Sequence, residues 1–283
     1  MTEHLVDLHL HTTESDGHLT PEQLIDLLAK THLEYVAITD HDTTSGTSRA
    51  KEYAKVFPRL QVIPGIEISS EIPEGEVHML AYYINYHDEG FQRQLSKFKE
   101  SRIGRAQKMI EKLGAMGMPL EWKRVRDIAK GESVGRPHVA QAMVEKGYVA
   151  TIKEAFDKYI SRDGPAYVAY QKYAPEEAIA LAIHAGGLPV LAHPNFIGPL
   201  ETLLPKLKEA GLVGMEVFYA GFDTEKEQHY GRLAKKYGLI PCGGSDYHAI
   251  GYDGEPKPGD WGPPVSSVEE MATLANSRAA RKG

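Results

Sequence analysis

A β/α barrel of seven strands is the fold class this sequence predicts, and three observations predict it. Short apolar, β-rich runs alternate with helical patterns along the 283 residues. Such alternation implies βαβ units and a parallel sheet. The runs number seven, which fits a barrel better than an open sheet. Finally, clusters of histidine and carboxylate sit where apolar runs end, and a β/α barrel carries its chemistry at the carboxyl ends of its strands.

Taken in order, Leu5–Leu10 is the first expected strand and ends in Asp7-Leu8-His9-Leu10-His11. Thr20-Pro21-Glu22 then places a capping residue and a first-turn proline before Leu24, Ile25, Leu27 and Leu28, so a helix starts there. Tyr35–Thr39, Gln61–Ile68 and Val77–Ile84 read as strands two to four. The alternation breaks next. Phe91, Leu95, Phe98, Ile103, Ala106, Met109, Ile110 and Leu113 recur near helical spacing and predict one long amphipathic helix. Shorter helical patterns follow at Glu121–Lys130, Pro137–Lys146 and Ile152–Ile160. Residues 95–166 are therefore expected to form a small helical insertion domain between strands four and five, with 1–94 and 167–283 forming the barrel. Ala174-Pro175-Glu176-Glu177 opens another helix, followed by strands at Pro189–Ala192, Gly214–Phe218 and Leu239–Cys242. A further helix begins after Thr224 and ends at Tyr237-Gly238, where glycine supplies a left-handed terminus. Gly251–Pro264 reads as a loop, with the remaining residues as a frayed end.

Composition narrows the function class. The chain is 42% hydrophobic and 25% charged, values of a globular protein with a sizeable core. No apolar stretch approaches the roughly 20 residues of a membrane span, and the amino-terminal MTEHLVDLHLH lacks the regions of a secretory signal. A single cysteine, Cys242, fits a reducing compartment, so the cytoplasm is expected. The net charge of −7 argues against coating nucleic acid, and no DNA-binding module is expected. From Arg93 to Arg136, 12 basic residues face 5 acidic ones, leaving the other residues at −14. A basic flap beside an acidic metal site would suit an anionic substrate.

On a strand, side chains alternate faces, so His9 and His11 point the same way and can hold one ion. The spacing recurs as Asp246-x-His248 near the other end of the chain. Glu67 and His193 emerge where apolar runs end, and a carboxylate at Glu67 can bridge two ions. His78 lies inside an apolar run, Asp16 in a Ser-Asp-Gly turn, and His41 follows Asp40, which can fix its tautomer; Asp7 can orient a neighbouring ligand.

These residues resemble the polymerase-and-histidinol-phosphatase (PHP) family of metal-dependent phosphoesterases, whose HxH, TDHD, GIE, AHP and SDxH motifs occur here in order over nearly the whole chain. The resemblance implies a distorted, TIM-like (β/α)7 barrel with two or three divalent ions, manganese first and iron or zinc as alternatives. It implies nine ligands: His9, His11, Asp16, His41, Glu67, His78, His193, Asp246 and His248, all present here. His9, His11, Glu67 and Asp246 would share one ion. Glu67 would bridge to a second held by His78 and His193, and Asp16, His41 and His248 would hold a third. Gly135-Arg136-Pro137-His138 resembles a subgroup acting on nucleoside 3′,5′-bisphosphates and, as 5′→3′ exoribonucleases, on short RNA. That subgroup also carries a glycine-rich turn matched by Asp163 to Val168. Some relatives place a lysine where Gly164 stands, and Arg162 is expected to substitute for it. Arg136, His138, Arg162 and Tyr167 are thus the expected substrate contacts.

The expected reaction is direct attack by a metal-bound hydroxide held by Glu67, His193 and Asp246, without a phosphoenzyme. A histidinol-phosphate phosphatase is the nearest rival. An amidohydrolase is a more distant one, since Glu67 takes the bridging place that a carboxylated lysine commonly fills there. A non-catalytic scaffold comes last. The sequence leaves the oligomeric state open.

Overall fold

A computed structural model describes residues 4–281 apart from 131, 132, 170–172 and 199. Seven strands lie in sequence order in one sheet: β1 (Val6–Leu10), β2 (Tyr35–Ile38), β3 (Gln61–Ile72), β4 (Gly75–Tyr82), β5 (Leu188–Leu191), β6 (Gly214–Tyr219) and β7 (Ile240–Gly244). β1 pairs with β2 and β2 with β3 in parallel, as do β5 with β6 and β6 with β7. The sheet curls until its last strand meets its first. His11 N–H donates to Tyr247 O at 3.0 Å, and Ser245 N–H to Asp7 Oδ1 at 3.0 Å. The barrel is nearly closed.

One expectation fails at β4. The sheet is not uniformly parallel, because β3 turns directly into β4 with Ile72 opposite Gly75, and no helix intervenes. β4 is therefore antiparallel to both β3 and β5. A turn of two residues cannot return a strand in parallel, which needs a crossover of a dozen residues or more. The reversal has a chemical consequence. It brings the early part of β4, where His78 pairs with Ser69, to the end of the barrel at which the parallel strands finish.

Helices α1 (Pro21–Leu28) and α2 (Ser45–Tyr53) cover β1 to β3, and Thr20 caps α1 with a reciprocal bond to Gln23. α3 (Glu89–Ala115) starts at Asp88, whose carboxylate accepts from Phe91 N–H at 2.7 Å. Its first half sends Phe91, Leu95 and Phe98 into the barrel's outer core with α7 (Pro175–His184). Its second half sends Ala106, Met109 and Leu113 into a separate apolar cluster. That cluster is completed by α4 (Trp122–Ala129), α5 (Arg136–Glu145), α6 (Ile152–Ala155) and a π-helical turn, Phe156–Ile160.

α8 (Leu200–Ala210) and α9 (Thr224–Tyr237) follow β5 and β6. Gly238 at φ 58° ends α9 in the left-handed conformation expected for it. Among the described residues, three α-helices escaped the sequence reading: α2, α8 and α10 (Val265–Ala280). α10 corrects the expected frayed end. Val268 and Met271 are fully packed against Leu8, Val190 and Cys242, closing the bottom of the barrel. Residues 282 and 283 lie outside the described residues.

Candidate metal centre

Eight of the nine expected ligands sit within or just beyond the carboxyl ends of parallel strands or the loops that follow; His78 arrives on the reversed β4. Alternation along β1 buries His9 and His11 on the same side. His9 Nε2 lies 3.3 Å from Glu67 Oε2 and 3.2 Å from Asp246 Oδ1. His11 Nε2 lies 3.3 and 3.1 Å from the same two oxygens. The other oxygen of Glu67, Oε1, is 2.8 Å from His78 Nδ1 and 3.0 Å from His193 Nε2. One carboxylate thus faces two separate sets of imidazoles.

A third group adjoins the first. His11, Asp16, His41 and His248 each present a ligand atom within 4.8 Å of the others. His248 Nδ1–H donates to Asp246 O at 2.8 Å, which turns Nε2 toward Asp16 Oδ1, 3.4 Å away. His41 spans the gap, with Nε2 3.8 Å from Asp16 and Nδ1 3.1 Å from Glu67. All nine residues form one continuous cluster.

The donor set fits cations. Nitrogen and carboxylate oxygen are the ligand types of zinc, manganese and iron sites. Buried polar atoms ordinarily have hydrogen-bond partners. Here His11 Nε2, His41 Nδ1 and Asp16 Oδ1 are buried without one of good geometry, and all three face the same pocket. Electrostatics point the same way. Burial opposes charge on His9, yet Asp246, Glu216 and Glu67 raise its pKa well above the ordinary value. Burial likewise opposes charge on His11, but Asp246 and Glu67 carry it up to about 10. His78, buried beside Glu67 and Glu76, rises to about 9. Against burial, the surrounding imidazoles hold Glu67, Asp16 and Asp246 well below the usual carboxylate range. His41 differs: burial pushes it down to about 3.

Backbone strain gathers at the same place. Asp42, His193 and Asp246 occupy positive φ of 54°, 26° and 51° without being glycine. Such conformations persist where surrounding contacts enforce them, commonly at functional sites. His193 N–H is held by Glu216 Oε2 at 2.6 Å.

Glu216 is a residue the sequence reading missed. It is fully buried on β6, and its Oε1 accepts His9 Nδ1–H at 2.9 Å. That bond fixes the tautomer that leaves His9 Nε2 free to ligate. The signal was present: a glutamate inside the apolar strand Gly-Met-Glu-Val-Phe. Tyr219 was also missed; its hydroxyl donates to Asp246 Oδ2 at 2.7 Å, leaving Oδ1 for the pocket. Arg102 is the third. From α3 its Nε reaches Asp42 Oδ2 at 2.7 Å and its Nη2 reaches Ser69 Oγ at 2.6 Å. Nothing local distinguishes it from the other basic residues of its stretch. Several of those are paired locally on the surface, as in Lys123–Asp127 and Arg124–Glu145.

The expected supporting acids act on backbone and loops. Asp7 accepts from the N–H groups of His9, Ser245 and Gly259 at 3.0–3.3 Å, and burial raises its pKa to about 6. Asp40 accepts from Thr12 N–H and Oγ1 at 2.7 Å and from Ser15 Oγ at 2.6 Å. It fixes the loop that carries Asp16 instead of the His41 ring, because neighbouring residues at an extended strand end face opposite ways.

The expected substrate contacts divide. Arg136, at the start of α5, donates from Nη2 to Glu76 Oε1 at 2.8 Å, and Glu76 Oε2 is 3.5 Å from His78 Nε2. Arg136 therefore stands one residue from the ligands. His138 is buried and its Nδ1 accepts Gly135 N–H at 3.0 Å, a helix-start role. Arg162 reaches Ile72 O and Glu71 Oε1, both at 3.3 Å, at the tip of the β3–β4 hairpin. Tyr167 lies under the Arg105 guanidinium, and its carbonyl accepts from Lys112 Nζ at 2.6 Å. These contacts of Arg162 and Tyr167 lie away from the nine residues. Gly164 has a local reason: a Cβ there would stand 2.3 Å from Tyr159 O, so no side chain fits without moving the turn.

Known proteins resolve the family. A model of the PHP domain matches residues 7–237. The chain belongs to the PHP family. It is 33% identical over 249 residues to the 5′-3′ exoribonuclease Rnm of Salmonella typhimurium, covering 86% of this chain and 85% of that one. It is 30% identical over 274 residues to the 3′,5′-nucleoside bisphosphate phosphatase of Chromobacterium violaceum, covering 95% and 93%. A crystal structure described as a putative metal-dependent phosphoesterase from Bifidobacterium adolescentis superimposes with a TM-score of 0.85 at 30% identity, covering 95% of both chains. This PHP protein is a metal-dependent phosphoesterase, a hydrolase of phosphate esters. Among the described residues no helix is long and apolar enough to cross a membrane.

Proposed function

We propose that this PHP protein removes a phosphate ester from a nucleotide, acting first on the 3′-phosphate of nucleoside 3′,5′-bisphosphates. Short 5′-phosphorylated oligoribonucleotides, degraded 5′→3′, are the second substrate class. The observation that carries the chemistry is the divided use of Glu67, whose two oxygens face different imidazole sets. The relatives named for these two activities support the substrate class.

His9, His11, Glu67 and Asp246 are the residues to hold one ion. Glu67, His78 and His193 would hold a second, and Asp16, His41 and His248 a third with His11 beside them. Manganese is the first candidate, with iron or zinc as alternatives. Ions bound in this way lower the pKa of water and neutralise phosphate oxygens. The protein's own part is positioning. Glu67, His193 and Asp246 orient the attacking water. Glu216 keeps His9 in its ligating tautomer, and Tyr219 aims Asp246 by its second oxygen. Arg136 and Arg102, on the 95–166 insertion that we assign to substrate phosphate contacts, exchange Glu76 and Asp42 for phosphate by paired hydrogen bonds. We place the activity in the cytoplasm, consistent with the lone, buried Cys242.

A substrate panel tests the reading. Manganese-loaded protein is offered adenosine 3′,5′-bisphosphate, short 5′-phosphorylated RNA and histidinol phosphate at matched concentrations. The highest kcat/KM is expected for the bisphosphate, with the 5′-monophosphate as product. Preference for histidinol phosphate would replace this assignment with the rival phosphatase.

A further inference from the structure

One exposed aromatic beside the metal centre bears on specificity, on the premise that the substrate is a nucleotide. Among the described residues, Phe196 is 68% exposed, matched in large apolar side chains only by Val56. It joins none of the apolar clusters, whereas the next residue, Ile197, is buried in the barrel's outer core. The local backbone thus turns one side chain inward and presents the other to water.

Phe196 is exposed but braced. It closes the short turn that begins after His193, and its N–H donates to His193 O at 3.2 Å. Its ring stands edge-on to His193, centroids 5.8 Å apart at 62°, and to Tyr219 at 6.4 Å and 86°. Tyr219 packs on Phe222 at 5.3 Å, and Phe222 on Tyr230 at 5.0 Å, both in the core. A file of rings therefore runs from the core to the lip of the metal pocket. Keeping a fixed aromatic in water has a solvation cost that a flat partner would remove.

We propose that Phe196 is the platform on which the substrate's nucleobase stacks while the ester phosphate lies among the nine ligands. Only a ribose separates a base from its 3′-phosphate, so such a platform must adjoin a ligand, as Phe196 adjoins His193. Stacking accepts any base, because each has a π-face, and favours purines for their larger one. Phe196 would then set the preference for nucleotides over sugar phosphates without a base.

The test measures kcat and KM for adenosine 3′,5′-bisphosphate, cytidine 3′,5′-bisphosphate and the base-free ribose 3,5-bisphosphate. The manganese-loaded proteins are wild type, Phe196→Ala, Phe196→Trp and Val56→Ala. Phe196→Ala should raise KM for the adenosine substrate roughly 10-fold or more, in line with base–aromatic stacking. It should raise it less for cytidine and leave the base-free ester unchanged. Phe196→Trp should restore the nucleotide KM, and Val56→Ala should match wild type throughout. Equal losses on nucleosides and base-free ester would mean that Phe196 only props His193, and would overturn the platform. So would a nucleotide preference that survives Phe196→Ala. A wild-type enzyme that favours the base-free ester would overturn the nucleotide reading as well.

Discussion

At the scale of single residues, the pocket depends on side chains that never face the substrate. Glu216 is the clearest. Glu216→Gln keeps the volume but can no longer hold the His9 Nδ1–H by charge. Metal affinity should fall roughly 10- to 100-fold, with little change in unfolding midpoint of the metal-free protein. Calorimetric manganese titration measures it; unchanged affinity would remove Glu216 from the centre. Arg136 makes a different prediction. Arg136→Ala should lower kcat/KM for a nucleoside bisphosphate far more than for a small generic phosphodiester, and equal losses would end its docking role. His138 supplies a pH dependence. Burial lowers its pKa, while its Nδ1 accepts a helix-start N–H. The unfolded chain therefore takes a proton first, as pH falls below about 6.5, and the folded chain resists. Stability from this group is intact above that pH and declines below it. His138→Gln, which keeps an acceptor at the same helix position, should flatten the acid limb between pH 6.5 and 5 in urea titrations. An identical acid limb in both proteins would contradict the assignment.

At the scale of elements, the seam between β1 and β7 is where two ends of the chain must meet without side chains in the way. A Cβ at Gly244 would stand 2.4 Å from His9 N and 2.7 Å from Asp7 Oδ1. Gly244→Ala should therefore destabilise by roughly 3 kcal/mol, as overpacking of a tight core does. Urea unfolding reads this directly, and a loss under about 1 kcal/mol would show that the seam yields. The strands themselves were legible, because buried strands are short apolar runs between turn signals. Direction was not. Periodicity records which face a residue takes and is silent on which way a strand runs, so the β3–β4 reversal stayed hidden. α2 escaped because Ser-Gly-Thr-Ser-Arg-Ala-Lys-Glu-Tyr is a weakly amphipathic, mostly polar stretch that tertiary contacts hold helical. α10 escaped because its buried side, centred on Val268 and Met271, is narrow.

At the scale of the whole molecule, six imidazoles and three carboxylates from seven separate stretches share one pocket, and the fold exists to bring them there. The ligand set was legible because each member belongs to a motif with its own local pattern. Arg102 and Tyr219 were not, since a basic residue on a helix and a tyrosine closing a strand are ordinary until distances are known. Cations that bind only the folded chain stabilise it by mass action, about 4 kcal/mol at a thousandfold excess over Kd. EDTA should accordingly lower the thermal midpoint, and manganese should restore it. The most direct test counts the ions. Protein purified without chelator should carry two or three transition-metal ions per chain by plasma mass spectrometry, and Glu67→Ala should lose at least one of them together with its phosphoesterase activity. Full activity in wild-type protein holding no transition metal would contradict the account.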